Sequence, residues 1–262
     1  MNEIRYTILG CGNSTGVPQI ACECMVCKSP NPKNHRTRAS LLVESKNTKI
    51  LVDTTPDLRF QALKHNIKYV DAILYTHPHA DHIMGIDDVK LLSKNDRPIP
   101  CYGEPTCLAT LEQQFPYNIK QLNPLYPPKI KPVPISPYQF FTIQDVDVYP
   151  FLQEHGGINS LGFRVGSVAY STDLVKLPQR SVESLKNLDI WILDCLRYSV
   201  SPSHIPLELV LHWTQVLSPK LTVLTHMSHS IEYEEIKKML PSNIVPAYDG
   251  MILSNLTVTE SS

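Results

Sequence analysis

Three histidines and one aspartate lie within six consecutive residues, in the segment ILYTHPHADHIMG at 73–85. The whole chain of 262 residues has only ten histidines. Residues 70–75 are mostly aliphatic and β-branched, so we expect a buried strand that delivers the cluster on the loop at its carboxyl end. Imidazole and carboxylate groups at this density indicate a site for divalent cations such as zinc or manganese. The four side chains are His77, His79, Asp81 and His82.

The number of ligand side chains in this cluster indicates how many cations it binds. A single tetrahedral zinc would not use all four side chains together with ligands from elsewhere in the chain. Two cations about 3.5–4 Å apart would use them. The sequence therefore favours a dinuclear site.

Composition narrows the class of protein. Opposite charges nearly cancel, with a net charge of −1, so no overall field attracts nucleic acid or an acidic membrane. No apolar run reaches about 18 residues, and the segment MNEIRYTILGCG does not resemble a secretory signal. We therefore expect a cytoplasmic protein without a membrane span. Its seven cysteines are an odd number, which argues against a framework of disulfides.

Strand patterns outnumber helical ones and alternate loosely with them. The predicted strands are residues 4–9, 39–44, 48–52, 70–75, 146–151, 162–165, 167–170, 190–193 and 221–224. Helices are predicted at residues 58–65, 207–216 and 233–240. Six prolines at 124–137 exclude a helix or a central strand there and predict a surface excursion or an edge segment. Together these patterns indicate one α/β domain covering residues 1–262.

The segment THPHADH resembles the H-x-H-x-D-H motif of the metallo-β-lactamase superfamily of hydrolases. The resemblance implies an αββα sandwich, in which two mixed sheets lie face to face with helices outside. It also implies later ligands in a fixed order, and these are matched by His155, Asp173 and His226. The early aspartate of the family is matched by Asp53, which we expect to support the ligand loop rather than to bind metal.

The resemblance divides these ligands between two cations. His77, His79 and His155 would hold one ion. Asp81, His82 and His226 would hold the other, with Asp173 as the bridge. Asp81 is also expected to carry protons during the reaction.

Three cysteines form a second cluster, ACECMVC, with C-x-C-x-x-C spacing at Cys22, Cys24 and Cys27. Three nearby thiols in a cytoplasmic protein indicate a closed structural zinc site, which needs a fourth ligand. His229 lies three residues after His226 in THMSH, too close for both to serve one cation from an extended loop. We therefore expect His229 to complete the cysteine site. The other cysteines, Cys11, Cys101, Cys107 and Cys195, are predicted to be small core residues.

The combined motifs resemble the PhnP-type phosphodiesterases, which open 5-phosphoribosyl 1,2-cyclic phosphate. That branch has a similar cysteine run, an L-T-H-x-S-H motif, and counterparts of GIDDVK at 85–90 and YDGM at 248–251. His204 resembles a histidine that protonates the leaving oxygen in this branch and in tRNA 3′-processing enzymes. A general acid is needed because an alkoxide is a poor leaving group. Arg36 and Arg38 could contact phosphate, but we expect them to be solvated surface charges.

Three functions remain open at this point. The first is a dinuclear phosphodiesterase acting on a small cyclic phosphate or a nucleotide-like diester. The second is a tRNA 3′-endonuclease, which requires a basic surface that this near-neutral chain does not display. The third is a role in cofactor biosynthesis like that of PqqB, whose metal site is degraded. We expect a small-molecule phosphodiester as partner and no nucleic acid, and homodimerisation is left open.

Overall fold

The computed structural model describes residues 4–254 and the backbone of residues 257–259. The strands of the first half are β1 (Arg5–Gly10), β2 (Ser40–Glu44), β3 (Lys49–Val52), β4 (Ala72–Leu74), β5 (Ile99–Gly103), β6 (Ile130–Pro134) and β7 (Phe141–Ile143). Those of the second half are β8 (Val146–His155), β9 (Ile158–Val165), β10 (Val168–Ser171), β11 (Ile190–Asp194), β12 (Leu221–Thr225), β13 (Ile244–Pro246), β14 (Ile252–Ser254) and β15 (Thr257–Thr259). The helices are α1 (Leu58–Lys64), α2 (Ala80–Ile83), α3 (Pro105–Gln114), α4 (Pro116–Ile119), α5 (Gln179–Ser184), α6 (Leu207–Leu217) and α7 (Tyr233–Met239).

The strands form two mixed sheets. The first has the order β15-β14-β1-β2-β3-β4-β5-β6, and the second β13-β12-β11-β10-β9-β8-β7. In the first sheet β1 to β3 pair antiparallel and β3 to β6 pair parallel. In the second sheet β10 to β13 are parallel, whereas β7 to β10 are antiparallel. The predicted αββα sandwich of two mixed sheets flanked by helices is confirmed.

Side chains that alternate along the strands of the first sheet build two separate cores. Leu41 and Val52 belong to the apolar cluster that the first sheet shares with the second. Their neighbours Leu42 and Leu51 point the opposite way and pack with Leu58 of α1. Because successive side chains of a strand face opposite sides, this alternation places the sheet between the other sheet and a helical layer.

The parallel arrangement brings many strand ends to one edge of the sandwich. β8 is antiparallel to β9, and β9 is antiparallel to β10, so β8 runs in the same direction as β10, β11 and β12. Ligand sites of α/β sheets lie outside the carboxyl ends of such strands. The polar residues at or just beyond strand ends here are Asp53, His77, His155, Asp173, Asp194 and His226.

The proline-rich segment and the long central hairpin refine the predicted elements. β6 lies at the edge of the first sheet, which confirms the edge position predicted for this segment and suits prolines that cannot donate to a neighbouring strand. β8 and β9 are longer than predicted and form a hairpin that ends at His155. Strand β5 and helix α3 were not predicted. No helix in the described ranges has the length and apolarity to cross a membrane.

Candidate metal centres

The structure gathers the predicted histidines and carboxylates into two adjacent groups. Ligand atoms within each group lie no more than 4.8 Å from one another. The first group is His77, His79 and His155. The second group is Asp81, His82, Asp173 and His226. All seven residues come together as the sequence predicted, although they derive from segments as far apart as 77 and 226.

Asp173 lies between the two groups and turns one oxygen toward each. Its Oδ1 atom is 3.8 Å from Nε2 of His77 and 3.5 Å from Nε2 of His155. Its Oδ2 atom is 3.2 Å from Nε2 of His82 and 3.5 Å from Nε2 of His226. This is the geometry that a carboxylate needs in order to bridge two cations.

Hydrogen bonds behind the two groups fix the direction of the rings. Asp53 accepts hydrogen bonds from Nδ1 of His82 at 2.7 Å and from the backbone N–H of Thr76 at 2.9 Å. The backbone carbonyl of Ser203 lies 2.7 Å from Nδ1 of His155. In both rings the Nδ1 atom is engaged, so Nε2 is left to face the cluster. Asp53 thus has the supporting position that we expected for it.

Three residues of the site have left-handed backbone conformations. The φ angles are 63° for Asp53, 56° for Asp173 and 57° for His226. Non-glycine residues adopt this region rarely, and such conformations persist only where the surroundings hold them. The polypeptide is therefore strained at three strand ends that deliver polar side chains to one place.

The electrostatics of the cluster favour a bound cation. Burial opposes a charge on His82, yet the carboxylates of Asp173, Asp81 and Asp53 raise its pKa well above the ordinary value. Burial also penalises ionised Asp173, but the surrounding histidines, led by His226, hold its pKa well below the ordinary value. Burial lowers the pKa of His77, which stays in the neutral form that binds metals.

Unpaired nitrogen atoms test whether these residues fit metal ions. Nε2 of His82 and both ring nitrogens of His226 are buried and have no hydrogen-bond partner among the described residues. Buried polar atoms are normally satisfied, so the two Nε2 atoms, which face Asp81 and Asp173, call for an additional partner, whereas Nδ1 of His226 faces Asp194. Imidazoles that release their protons when metal binds, together with carboxylates, form a donor set for borderline divalent cations. The residues fit divalent metal ions.

The cysteine cluster forms a separate four-residue group. The Nδ1 atom of His229 lies 3.1 Å from Sγ of Cys22, 3.6 Å from Sγ of Cys24 and 3.7 Å from Sγ of Cys27. A hydrogen bond from the Cys27 backbone N–H is the main cause that lowers the pKa of Cys24 to about 6, which favours its thiolate. Three sulfurs and one imidazole nitrogen at these distances fit a tetrahedral zinc ion.

His204 lies beside the second group and is held by an aspartate that we did not predict. Its Nδ1 atom is 2.7 Å from Oδ2 of Asp194, the last residue of β11. Its Nε2 atom is 3.9 Å from Oδ1 of Asp173. Asp194 belongs to no motif, but it ends the apolar strand IWILD just as Asp53 ends KILVD. That repeated strand-end aspartate is the signal by which the sequence could have revealed it.

The two arginines near the cysteine cluster are not solvated surface charges. Arg36 is 1% exposed, and its guanidinium donates to backbone carbonyls, so the predicted surface position is wrong. Arg38 is partly buried and pairs with Asp57 at 3.1 Å. The two Nη atoms of Arg36 and the guanidinium of Arg38 are paired with protein atoms. The four remaining cysteines are buried, as predicted, and are Cys11, Cys101, Cys107 and Cys195.

A cleft of about 550 Å³ opens beside the first group. His155 forms part of its wall, and Ser203, the residue before His204, lies next to it. Among the described residues that line it there is no lysine, arginine, phenylalanine, tyrosine or tryptophan. Its lining residues are Glu154, His155, Gly156, Gly157, Ile158, Asn159, Val175, Pro202 and Ser203. The cleft reaches the first group at His155.

Comparison with known protein families agrees with this geometry. Residues 48–227 match the model of the beta-lactamase superfamily domain. The sandwich fold and the donor groups at its edge therefore define a metal-dependent hydrolase domain of the metallo-β-lactamase superfamily. The fold implies that the domain binds divalent cations.

Comparison with individual relatives places the chain within a branch of this superfamily. A crystal structure described as a new diphosphatase from the PhnP family has 37% identity, with a TM-score of 0.90 over 96% of this chain and 97% of that one. The chain belongs to the PhnP family. An octanoyltransferase of Porphyromonas gingivalis is 34% identical over 95% of this chain and 51% of its own length. Ribonuclease Z of Myxococcus xanthus is 28% identical over 50% of this chain and 43% of its own. The chain thus spans about half the length of the curated relatives it matches.

Proposed function

We propose that the protein hydrolyses a small phosphodiester, either a cyclic phosphate such as 5-phosphoribosyl 1,2-cyclic phosphate or a nucleotide-like diester. The observation that carries this proposal is the pair of oxygens of Asp173, each turned toward a different group of histidines. A dinuclear site of this kind suits an in-line displacement at phosphorus, in which both the attacking and the leaving oxygen need stabilisation.

The proposal assigns a separate cation to each group. His77, His79 and His155 would hold the first ion. Asp81, His82 and His226 would hold the second, and Asp173 would contact both. Bound divalent cations such as zinc or manganese would lower the pKa of a water molecule and neutralise charge on the phosphoryl oxygens. A third cation, a structural zinc, would be held by Cys22, Cys24, Cys27 and His229.

The residues around the ions would orient the substrate and move a proton. His204 has its Nδ1 atom engaged by Asp194, so its Nε2 atom is the one that can donate to a leaving oxygen. His204 is 8% exposed and therefore accessible from one side only. Asp81 would help to hold the second ion and would accept a proton from the attacking water. His204 would supply the general acid that an alkoxide leaving group requires, and Asp81 the base for the water.

A second candidate is hydrolysis of a diphosphate. It is favoured by one observation: the PhnP-family structure that is 37% identical to this chain is described as a diphosphatase. A phosphate leaving group is a weaker base than an alkoxide, so its departure depends less on a general acid. The hydrogen-bonded pair of His204 and Asp194 would therefore contribute more to hydrolysis of a diester whose leaving group is an alcohol.

Three other activities receive less support. An RNA substrate would need basic side chains to hold phosphates, and no described residue that lines the cleft beside His155 is lysine or arginine. The complete donor groups argue against a PqqB-like role with a degraded site. The name octanoyltransferase belongs to a relative about twice as long, so acyl transfer does not follow for this chain. We also propose that the protein acts in the cytoplasm.

A panel of substrates tests the proposal. The purified protein, loaded with zinc or manganese, is assayed with bis-p-nitrophenyl phosphate, a ribose cyclic phosphate and a dinucleoside diphosphate. A phosphomonoester, a β-lactam, a precursor tRNA and an octanoyl thioester complete the panel. We expect the diesters to be hydrolysed fastest. The monoester brings an additional negative charge, and the lactam and thioester present a different electrophile.

The outcomes separate the candidates. Preference for the dinucleoside diphosphate over every diester would favour the diphosphatase. Preference for the precursor tRNA, the β-lactam or the thioester would overturn the proposal. A variant such as His226→Ala, which lacks one proposed ligand, distinguishes this activity from that of a contaminating enzyme.

A further inference from the structure

The guanidinium of Arg36 is buried against the loop that follows β12. Its Nη1 atom donates to the carbonyl oxygen of Ser228 at 3.0 Å, and Nη2 donates to the carbonyl oxygen of Ile231 at 2.8 Å. Nη2 also donates to Oδ1 of Asn34 at 3.1 Å. Arginine suits such a position because its planar fork can grip two acceptors at once. The side chain thus holds the loop at two points.

The buried positive charge of Arg36 opposes folding unless its contacts compensate for the lost hydration. Burial lowers the pKa of Arg36, and Asp249 and Glu232 are the nearest carboxylates that act against that effect. The Nε atom has no hydrogen-bond partner among the described residues. An uncharged polar residue could satisfy one carbonyl at smaller cost. The arginine, by contrast, donates to two carbonyl oxygens at once, those of Ser228 and Ile231, which lie three residues apart.

The loop to which Arg36 donates carries one proposed ligand of each metal site. His226 lies in the second histidine and carboxylate group, and His229 lies among the cysteines. The backbone between them is held on one side, since the N–H of Met227 donates to the carbonyl of Cys11 at 2.8 Å. Arg36 holds the other side through Ser228. The left-handed φ of His226 needs such support, because a non-glycine residue does not retain it unaided.

A chain of hydrogen bonds continues from Arg36 to the cysteine loop. Asn34, which accepts from Arg36, is itself fully buried and also accepts from the backbone N–H of Tyr233 at 2.8 Å. Its Nδ2 atom donates to Oγ of Ser29 at 3.0 Å. Ser29 lies two residues after Cys27. One network of hydrogen bonds, buried at Arg36 and Asn34 and partly exposed at Ser29, therefore connects the cysteine loop with the turn that carries both histidines.

We propose that Arg36 is a positioning residue that couples the cysteine site to the dinuclear site. By holding the carbonyls of Ser228 and Ile231, it keeps His226 and His229 directed to different groups. Cation binding at the cysteine group then orders the loop that presents His226, and so strengthens cation binding at the other groups. The inference rests on the proposed metal sites but not on the reaction they catalyse.

Cobalt(II) binding to the metal-free protein tests this coupling without any substrate. A cobalt ion with thiolate ligands shows a sulfur-to-metal charge-transfer band, which reports the cysteine group alone. Bands from ligand-field transitions and the total stoichiometry report the remaining sites. Three variants form a double-mutant cycle with the unaltered protein: Cys24→Ser, Arg36→Gln and the two combined. Arg38→Gln is the matched control, because Arg38 is two residues away and pairs with Asp57.

Arg36→Gln is expected to weaken cobalt binding at the histidine and carboxylate groups by about 10–100-fold, as removal of outer supports of ligands does. Cys24→Ser should weaken cobalt binding at the same groups when Arg36 is present. In the Arg36→Gln protein it should cause little further loss of cobalt affinity. Arg36→Lys keeps the charge without the fork and should restore only part of the affinity. Arg38→Gln should leave both spectra unchanged.

Additive losses in the cycle, or full affinity in Arg36→Gln, would overturn the inference. Circular dichroism and thermal melting of the metal-free variants identify a folding defect. If Arg36→Gln does not fold, Arg36→Lys and Asn34→Ala provide the same cycle. A protein that binds cobalt with coupling but hydrolyses no diester would contradict the proposed function and leave this inference intact.

Discussion

The imidazole of His204 is hydrogen-bonded to Asp194, with 2.7 Å between Nδ1 and Oδ2. The ring stacks on that of His226 with 4.7 Å between centroids and meets that of His155 edge-on at 5.0 Å. These contacts leave the ring little freedom to rotate. His204 is therefore fixed with its Nε2 atom 3.9 Å from Oδ1 of Asp173, which is the position required of the general acid in the proposed mechanism.

Replacement of His204 by alanine should have an effect that depends on the leaving group. We expect His204→Ala to lower the rate by about 10²–10⁴-fold on a diester with an alkyl alcohol as leaving group, which needs protonation. The loss should be much smaller with p-nitrophenolate, which leaves without a proton. Steady-state rates on the two substrates at saturating metal provide the measurement.

His226→Ala is the control for metal binding, and it should lose metal and lose activity on both substrates. Metal content of His204→Ala should remain unchanged. Equal losses on both substrates in His204→Ala would mean that the residue positions phosphate, and no loss on either would remove it from the mechanism.

The pH dependence should follow the proton on His204. Burial opposes its protonation, but Asp194, Asp173 and Asp81 together raise its pKa to about 9. In the proposed mechanism the protonated form is the acid, so the rate on an alkyl diester should fall as the pH rises through the pKa of His204. Bound cations would offset the charges of Asp173 and Asp81, so this fall should occur below pH 9 in the metal-loaded enzyme. Asp194→Asn removes the strongest of these charges, and its profile should fall at lower pH. Profiles that coincide for the two proteins would contradict this account.

Metal content should distinguish the two kinds of site. We expect about three ions per chain after growth with zinc, two at the histidine and carboxylate groups and one at the cysteine group. Mild chelation should remove the first two, because an open catalytic site exchanges its ion more readily than a closed site. Elemental analysis before and after chelation measures both. If the protein retains no zinc after chelation, or if Cys24→Ser retains as much zinc as the unaltered protein, the cysteine group binds no zinc.

Gly85 allows a test of packing behind the ligand loop. A Cβ atom at this position would lie 1.9 Å from the carbonyl oxygen of Thr55. Gly85→Ala should therefore destabilise the metal-free protein by about 1–3 kcal/mol or more, because the backbone must move apart. Gly103→Ala is the matched control, since its Cβ would meet Leu108 and Tyr75 only at ordinary contact distance, 3.5 Å. Urea denaturation of both variants gives the comparison, and equal stability would refute the packing argument.

The elements with strong local patterns could be predicted from the sequence. Strands with continuous apolar runs, such as β11, and the histidine motif of His77 to His82 are encoded by neighbouring residues. The later ligands His155 and His226 were found only because the family resemblance supplies their order. A single histidine at a strand end carries no local signal of its own.

Residues whose roles depend on distant partners could not be predicted. Arg36 lies in a polar segment, and only the fold brings Ser228 and Ile231 around it. Asp194 is separated from His204 by ten residues with no motif between them. The short strand β5 was missed because its burial comes from neighbouring strands and from α3, rather than from a long apolar run.

Asp53 should control the metal affinity of a site to which it contributes no ligand. Its carboxylate accepts from Nδ1 of His82 at 2.7 Å and from the hydroxyl and backbone N–H of Thr76, both at 2.9 Å. Asp53→Asn keeps the shape but presents an amide N–H to His82, which favours the tautomer that cannot offer Nε2 to a cation. We expect about 10–100-fold weaker metal binding, with less loss of stability than in Asp53→Ala.

The measurement is metal affinity by competition with a chelator, together with denaturation of the metal-free variants. Asp57→Asn is the control, because Asp57 is also an aspartate on this segment but pairs with Arg38. Asp53→Ala should lose about 1–3 kcal/mol of stability in addition, since it leaves the N–H groups of His82 and Thr76 buried without acceptors. Undiminished metal affinity in Asp53→Asn would mean that His82 is oriented by packing alone, and that its hydrogen bond to Asp53 contributes only to folding.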